Sequence, residues 1–121
     1  MAELDSTADG ALPASTPALA TVTSSTDEAG ILVLSLTGEV DIATAPGARA
    51  EIDQILEGRT PGPVAFDLSG LRFMDSSGLA LLLTIAGQTE QVERIEIRNP
   101  SRIVRRVIEI SGLADALPMT P

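Results

Sequence analysis

The chain has 121 residues, a formal net charge of -9, and neither cysteine nor histidine. Those absences exclude disulfides, zinc sites, cysteine nucleophiles and every imidazole-based acid/base mechanism. The acidic balance and the presence of only two aromatic residues, Phe66 and Phe73, argue against nucleic acids and anionic membranes as partners. Phosphate backbones are repelled, and no platform is available to stack bases.

Residues 1–17 consist mainly of Ala, Ser, Thr, Pro, Asp and Gly. Such a composition cannot bury enough apolar surface to offset the entropy of ordering, so a disordered acidic tail is expected there, ahead of a single domain over 18–117 and a short tail over 118–121. The first thirty residues carry five acids and no base, whereas the other 91 carry twelve acids against eight arginines. The folded part is therefore only mildly acidic. No basic segment followed by an apolar stretch opens the chain, and no run is long enough to span a bilayer, so the expected location is the cytoplasm.

"ALATVTSST" (Ala18 to Thr26) alternates loosely and is rich in threonine, as an edge strand would be. "DEAG" then supplies a turn, and "ILVLSLTG" (Ile31 to Gly38) reads as a buried strand closed by glycine. Next, Ala48, Ile52, Ile55 and Leu56 recur at helical spacing, with Thr44 as the expected N-cap, Pro46 in the first turn and Gly58 as the stop. Pro46 and Gly47 weaken the start of that helix.

"GPVAFDLSGL" (Gly62 to Leu71) returns to strand character, and "SSGLALLLTIAGQ" opens a second helix ending near Gly87. "VERIEIR" (Val92 to Arg98) alternates apolar and charged residues, the signature of a strand with one wet face. The last helix is expected to have Asn99 as cap, Pro100 at its first position, Ile103, Val104, Val107, Ile108 and Ile110 as its apolar residues, and Gly112 as its end. Arg102, Arg105 and Arg106 are expected on a solvated face, pairing with Glu109. The alternation of strands and helices predicts an α/β fold, a mixed sheet with helices packed on it.

Between the third strand and the second helix lies "RFMDSSGLALLL" (Arg72 to Leu83). Asp75, Ser76 or Ser77 can each cap the helix, and plain capping explains such a junction by itself. A helix start is also where a phosphate is best tolerated, because its unpaired N–H groups and dipole favour negative charge. A phosphoserine beside Asp75 would repel a partner fitted to the neutral surface. The helix is apolar nearly all round: Leu79, Leu82, Leu83 and Ala86 fit one core-facing stripe, leaving Leu81 and Ile85 on a different side, either covered by another helix or loop or forming a docking surface beside Ser76. "TGEVD" (Thr37 to Asp41) admits an acid/base pair or a metal site, although turn and cap chemistry is the better explanation of its Gly, Asp and Thr. No glycine spacing matches a phosphate-binding loop, so no cofactor is expected.

"LTGEVD", then a helix, then "VAFDLSGLRFMDSSGLALLL" and "NPSRIVRRVIEISGL" resemble the STAS-domain family, specifically the bacterial anti-sigma factor antagonists, from about Ile31 to Leu113. The resemblance implies a mixed four- to five-stranded β-sheet with helices packed on one side. It also implies a further strand and a C-terminal helix after "SGL"; "ADALPMTP" has room for little more than a short strand, so that helix is expected to be missing. In this family the unphosphorylated antagonist binds an anti-sigma factor that is also an ATP-dependent serine kinase, which frees the sigma factor. Phosphorylation of the antagonist ends the complex until a PP2C-type phosphatase acts.

Carried over residue by residue, the resemblance makes Ser76 the phosphoacceptor, with Ser77 as runner-up, in a protein that is a substrate and not an enzyme. Asp41, Thr44, Asp75, Ser77, Gly78, Leu81 and Ile85 are the expected partner-binding positions. A monomer or weak dimer is expected. The alternatives are a phosphorylation-independent STAS scaffold and, more remotely, a carboxylate-dependent enzyme using Asp41 and Asp75.

Overall fold

A computed structural model describes residues 19–88 and 90–120; the expected tail over 1–17 lies outside them. Four strands alternate with three helices: β1 (Thr21–Thr26), β2 (Leu32–Val40), α1 (Ala45–Leu56), β3 (Gly62–Met74), α2 (Ser76–Ala86), β4 (Val92–Arg98) and α3 (Arg102–Ile110). The sheet order is β1-β2-β3-β4. β1 runs antiparallel to β2, whereas β2, β3 and β4 are mutually parallel. This is the expected mixed sheet.

Two registers explain its core. Leu32 and Leu34 lie opposite Val64 and Phe66, which lie opposite Ile95 and Ile97. All six are buried in one cluster with Ile52 and Leu56 of α1, Leu82 and Ile85 of α2, and Val104 and Ile108 of α3. The helices therefore share one face of the sheet, because strand side chains alternate and these positions all point the same way. The other face carries Ser35, Asp67, Glu96 and Arg98, interrupted by Val33 and Ala65. β1 is an edge strand whose threonines and serines are mostly exposed, a polar edge that discourages pairing with another chain.

Strands β2 and β3 outrun their expected ends at Gly38 and Leu71, reaching Val40 and Met74. Gly38 makes the extension possible: at φ 93° it adopts a conformation that L side chains avoid, and a β-carbon there would collide with the Leu19 carbonyl oxygen. The two strands thus stay paired through Val40 opposite Met74, with shifts of register on the way.

The C-terminal residues are part of the fold. Leu117 is fully buried, and Met119 forms a parallel bridge to Ile97, supported by Ile97 N–H donating to Pro118 O at 2.7 Å and Thr120 N–H donating to Ile97 O at 2.8 Å. Residues 118–120, expected as a short tail, thus lie beside β4 through one isolated bridge. No helix follows α3 among the described residues. The start of α3 also differs from expectation. Ser101 is the N-cap and accepts from Val104 N–H at 3.2 Å, while Asn99 takes a left-handed turn at φ 53° that lets the chain leave the sheet.

On the open face, the β1–β2 turn is fastened by Asp27. Its Oδ1 accepts from the N–H groups of Ala29 and Ile31, each at 2.9 Å, and its Oδ2 lies 3.0 Å from an Arg98 nitrogen. The Ile31 N–H chiefly, helped by Arg98 and Ala29, holds the Asp27 carboxyl below its ordinary range against a smaller opposing effect of burial. A depressed folded-state pKa gives stability that is present above the ordinary aspartate range and is lost as pH falls through the folded value. Asp27→Asn is accordingly expected to melt below the parent at neutral pH. In melting curves over a pH series, the two should converge as the pH falls through the depressed folded-state value of Asp27 and its carboxyl becomes neutral.

Candidate functional site

The paired ends of β2 and β3 set two turns side by side. Asp75 N–H donates to Val40 O at 3.2 Å, joining the strand that precedes the Asp41 turn to the residue that caps α2. Asp75 settles the capping question among its three candidates: its Oδ1 accepts from Ser77 N–H at 2.8 Å, and its carbonyl accepts from Gly78 and Leu79. Two of the four N–H groups that the first turn leaves unpaired, those of Ser77 and Gly78, are thereby satisfied by one residue, and the Leu79 bond opens the regular helical ladder. Ser77 is half-buried. Ser76, the first residue of α2, is exposed, and its hydroxyl is engaged by no described residue.

The neighbouring turn is equally fixed. Asp41 Oδ1 accepts from Ala43 N–H at 2.9 Å and Thr44 N–H at 3.0 Å, while Thr44 Oγ1 accepts from Asp41 N–H and donates to Glu39 O, both at 2.9 Å. Thr44 occupies the N-cap position of α1 but its side chain makes no capping bond to the helix, contrary to the expectation, because its hydroxyl is committed to the turn behind it. Asp41 and Thr44 therefore hold the shape of the loop. Among the described residues, no group of three His, Cys, Asp or Glu side chains is placed to hold a metal ion.

This bracing presents an apolar residue that sequence reasoning passed over. Ile42 sits at the top of the Asp41 turn and is 80% exposed. With Pro46, Arg49, Ser77, Ala80 and the edge of Leu81 it lines a shallow groove of about 300 Å³ between the starts of α1 and α2. Its signal was an isoleucine between two turn-forming residues, Asp41 and Thr44, where the core has no use for it.

Three expected positions are corrected. Leu81 is 5% exposed and Ile85 fully buried, whereas Leu83 and Ala86 of the supposed core stripe are only half-buried. The helix is rotated toward α1, which covers the side that the sequence left open. Gly78 is also buried, and a β-carbon there would collide with the Met74 side chain, so it serves the packing of α2 on β3. The surface around Ser76 is thus Ile42, Pro46, Ala80 and Arg49, with Leu81 contributing only an edge and Ile85 nothing.

A mixed sheet with helices on one face, and an exposed serine opening a helix beside a braced turn, define an α/β domain of the STAS type. The model of the STAS domain family matches residues 23–121, and the chain belongs to that family. It is 37% identical over 83 residues to an anti-sigma F factor antagonist of Lysinibacillus sphaericus, covering 68% of this chain and 71% of that protein. Its fold superposes on an anti-sigma factor antagonist from Mycobacterium paratuberculosis with a TM-score of 0.72 at 28% identity, over 84% of this chain and 86% of that one. The anti-sigma factor antagonist SpoIIAA in its unphosphorylated form gives 0.61 at 28% identity, over 84% and 89% of the two chains. The phosphorylated form of this Bacillus cell fate determinant gives 0.52 at 26% identity, over 84% and 92%.

Proposed function

We propose that this chain is a cytoplasmic anti-sigma factor antagonist that acts by binding and not by catalysis. Its partner is an anti-sigma factor that is also an ATP-dependent serine kinase, and phosphorylation of Ser76 ends the complex until a PP2C-type phosphatase reverses it. The observation that carries this reading is the exposed Ser76 at the first position of α2, its hydroxyl engaged by no described residue, beside a groove of apolar groups. The names of the similar proteins, anti-sigma factor antagonists in both phosphorylation states, support the same reading.

The local structure supports such a switch. A phosphate on Ser76 adds about 1.5 to 2 negative charges without breaking the Asp75 cap, and the helix dipole tolerates it there. The fold survives while the face changes sign. Asp75 is already anionic at the same corner, so a partner that accommodated one carboxylate meets a dense cluster of negative charge in its place.

The test is binding to the anti-sigma factor kinase with and without ATP, followed by fragment mass spectrometry. One phosphate on Ser76, retained binding by Ser76→Ala and binding weakened about 100-fold by Ser76→Asp are expected, since a charge mismatch in a desolvated contact costs several kcal/mol. Equal binding by the two variants would defeat the switch. A second reading, a phosphorylation-independent STAS scaffold, draws on the capping by Asp75, which accounts for the motif without any kinase. It requires assemblies that are indifferent to Ser76.

A further inference from the structure

Helix α3 carries a surface that the Ser76 site does not use. Of its apolar residues only Val104 and Ile108 are buried, while Ile103 is 56% and Ile110 74% exposed. These two stand about two helical turns apart and so share a face, with half-buried Val107 between them. Arg102 and Arg106 flank the stripe, and with Ile103 and Val107 they line a shallow, mostly apolar groove of about 330 Å³. The expected pairing with Glu109 is not formed: among the described residues none of Arg102, Arg105 and Arg106 makes an ion pair. An acidic chain has thus placed three of its eight arginines on one helix beside exposed isoleucines. Whatever covers that face should bring carboxylates and aliphatic groups together.

We propose that residues 1–18 of the same chain dock on this face, with Leu4 against Ile103 and Ile110 and the flanking acids toward Arg102 and Arg106. This segment holds Glu3, Asp5 and Asp9 and no basic side chain, and "ELD" sets a leucine between two carboxylates, the complement of an apolar stripe bordered by arginines. The tether is long enough. Leu19 is held against Gly38, and the residues between it and Leu4 can span about 50 Å when extended, against a radius of gyration of about 13 Å for a domain of this size. Attachment to the same chain raises the effective concentration into the millimolar range, so a weak contact suffices.

The absence of cysteine allows a single spin label at Ser6→Cys. In the full chain at low salt, the amide signals of Ile103, Arg106, Val107 and Ile110 are expected to lose more than about half their intensity and to regain it in about 0.5 M salt. The double variant Ile103→Ser/Ile110→Ser, altered only at exposed positions, should abolish the effect, and Glu3→Gln/Asp5→Asn should weaken it. Unchanged α3 signals would overturn the proposal. So would broadening seen only when label and isotope reside on different molecules, which would identify a second copy as the occupant.

Discussion

Gly78→Val is expected to lower the melting temperature by roughly 10–20 °C, the largest effect of any single change near the Ser76 corner. The reason is local. A β-carbon at position 78 would collide with Met74 Cγ, and it would stand 2.9 Å from Met74 Sδ and 3.3 Å from Met74 Cβ. Met74 is 1% exposed within the main cluster, so its side chain has no free space to move into. Forcing extra atoms into a packed core costs about 1–3 kcal/mol, and a β-branched residue in the first turn of a helix adds to it. A domain with about 5–15 kcal/mol of total stability feels that strongly. Thermal and urea denaturation followed by circular dichroism would measure it. Pairing the milder Gly78→Ala with Met74→Ala should recover part of the loss, because removing Met74 atoms removes the collision; strict additivity of the two changes would contradict the packing argument.

The same contact shows which parts of this molecule can be read from its residues. Strands were legible where apolar and polar residues alternate, as in Val92–Arg98, because the period alone assigns the faces. Helix α2 was not legible in that way. Its residues are apolar on almost every side, so no period distinguishes the sheet-facing side from the α1-facing side, and tertiary packing chose Leu81 and Ile85 over Leu83 and Ala86. The cap of α3 was misplaced for a related reason. Asn99 and Ser101 are both good caps, and the requirement for a left-handed turn at the end of β4 assigned Asn99 to the turn and Ser101 to the helix. Ser76 was singled out by the resemblance and not by any local pattern, since Asp75, Ser76 and Ser77 read equally as caps until the hydrogen bond from Ser77 N–H assigned the cap to Asp75.

Ile42→Glu is expected to weaken binding of the proposed partner, an anti-sigma factor kinase, by about 30- to 100-fold while leaving the melting temperature within a degree or two of the parent. Ile42 is 80% exposed, so its removal takes nothing from the core. What it offers a partner is rigidity. The turn beneath it is closed by hydrogen bonds among Asp41, Ala43, Thr44 and Glu39, and an apolar group held in one place sacrifices little conformational entropy on being buried. Centrally placed anchors of this kind carry about 2 kcal/mol or more in protein interfaces, and a carboxylate stranded in the same pocket costs further desolvation. The variant also separates the surface from the switch. Ile42→Glu leaves the Ser76 hydroxyl and its cap intact, so at saturating kinase phosphorylation should still reach Ser76, whereas Ser76→Ala should bind but accept no phosphate. Titration calorimetry and intact-mass measurement of both variants decide the matter: full affinity in Ile42→Glu would move the docking surface away from the Asp41 turn, and a phosphate gained by Ser76→Ala would move the acceptor to Ser77.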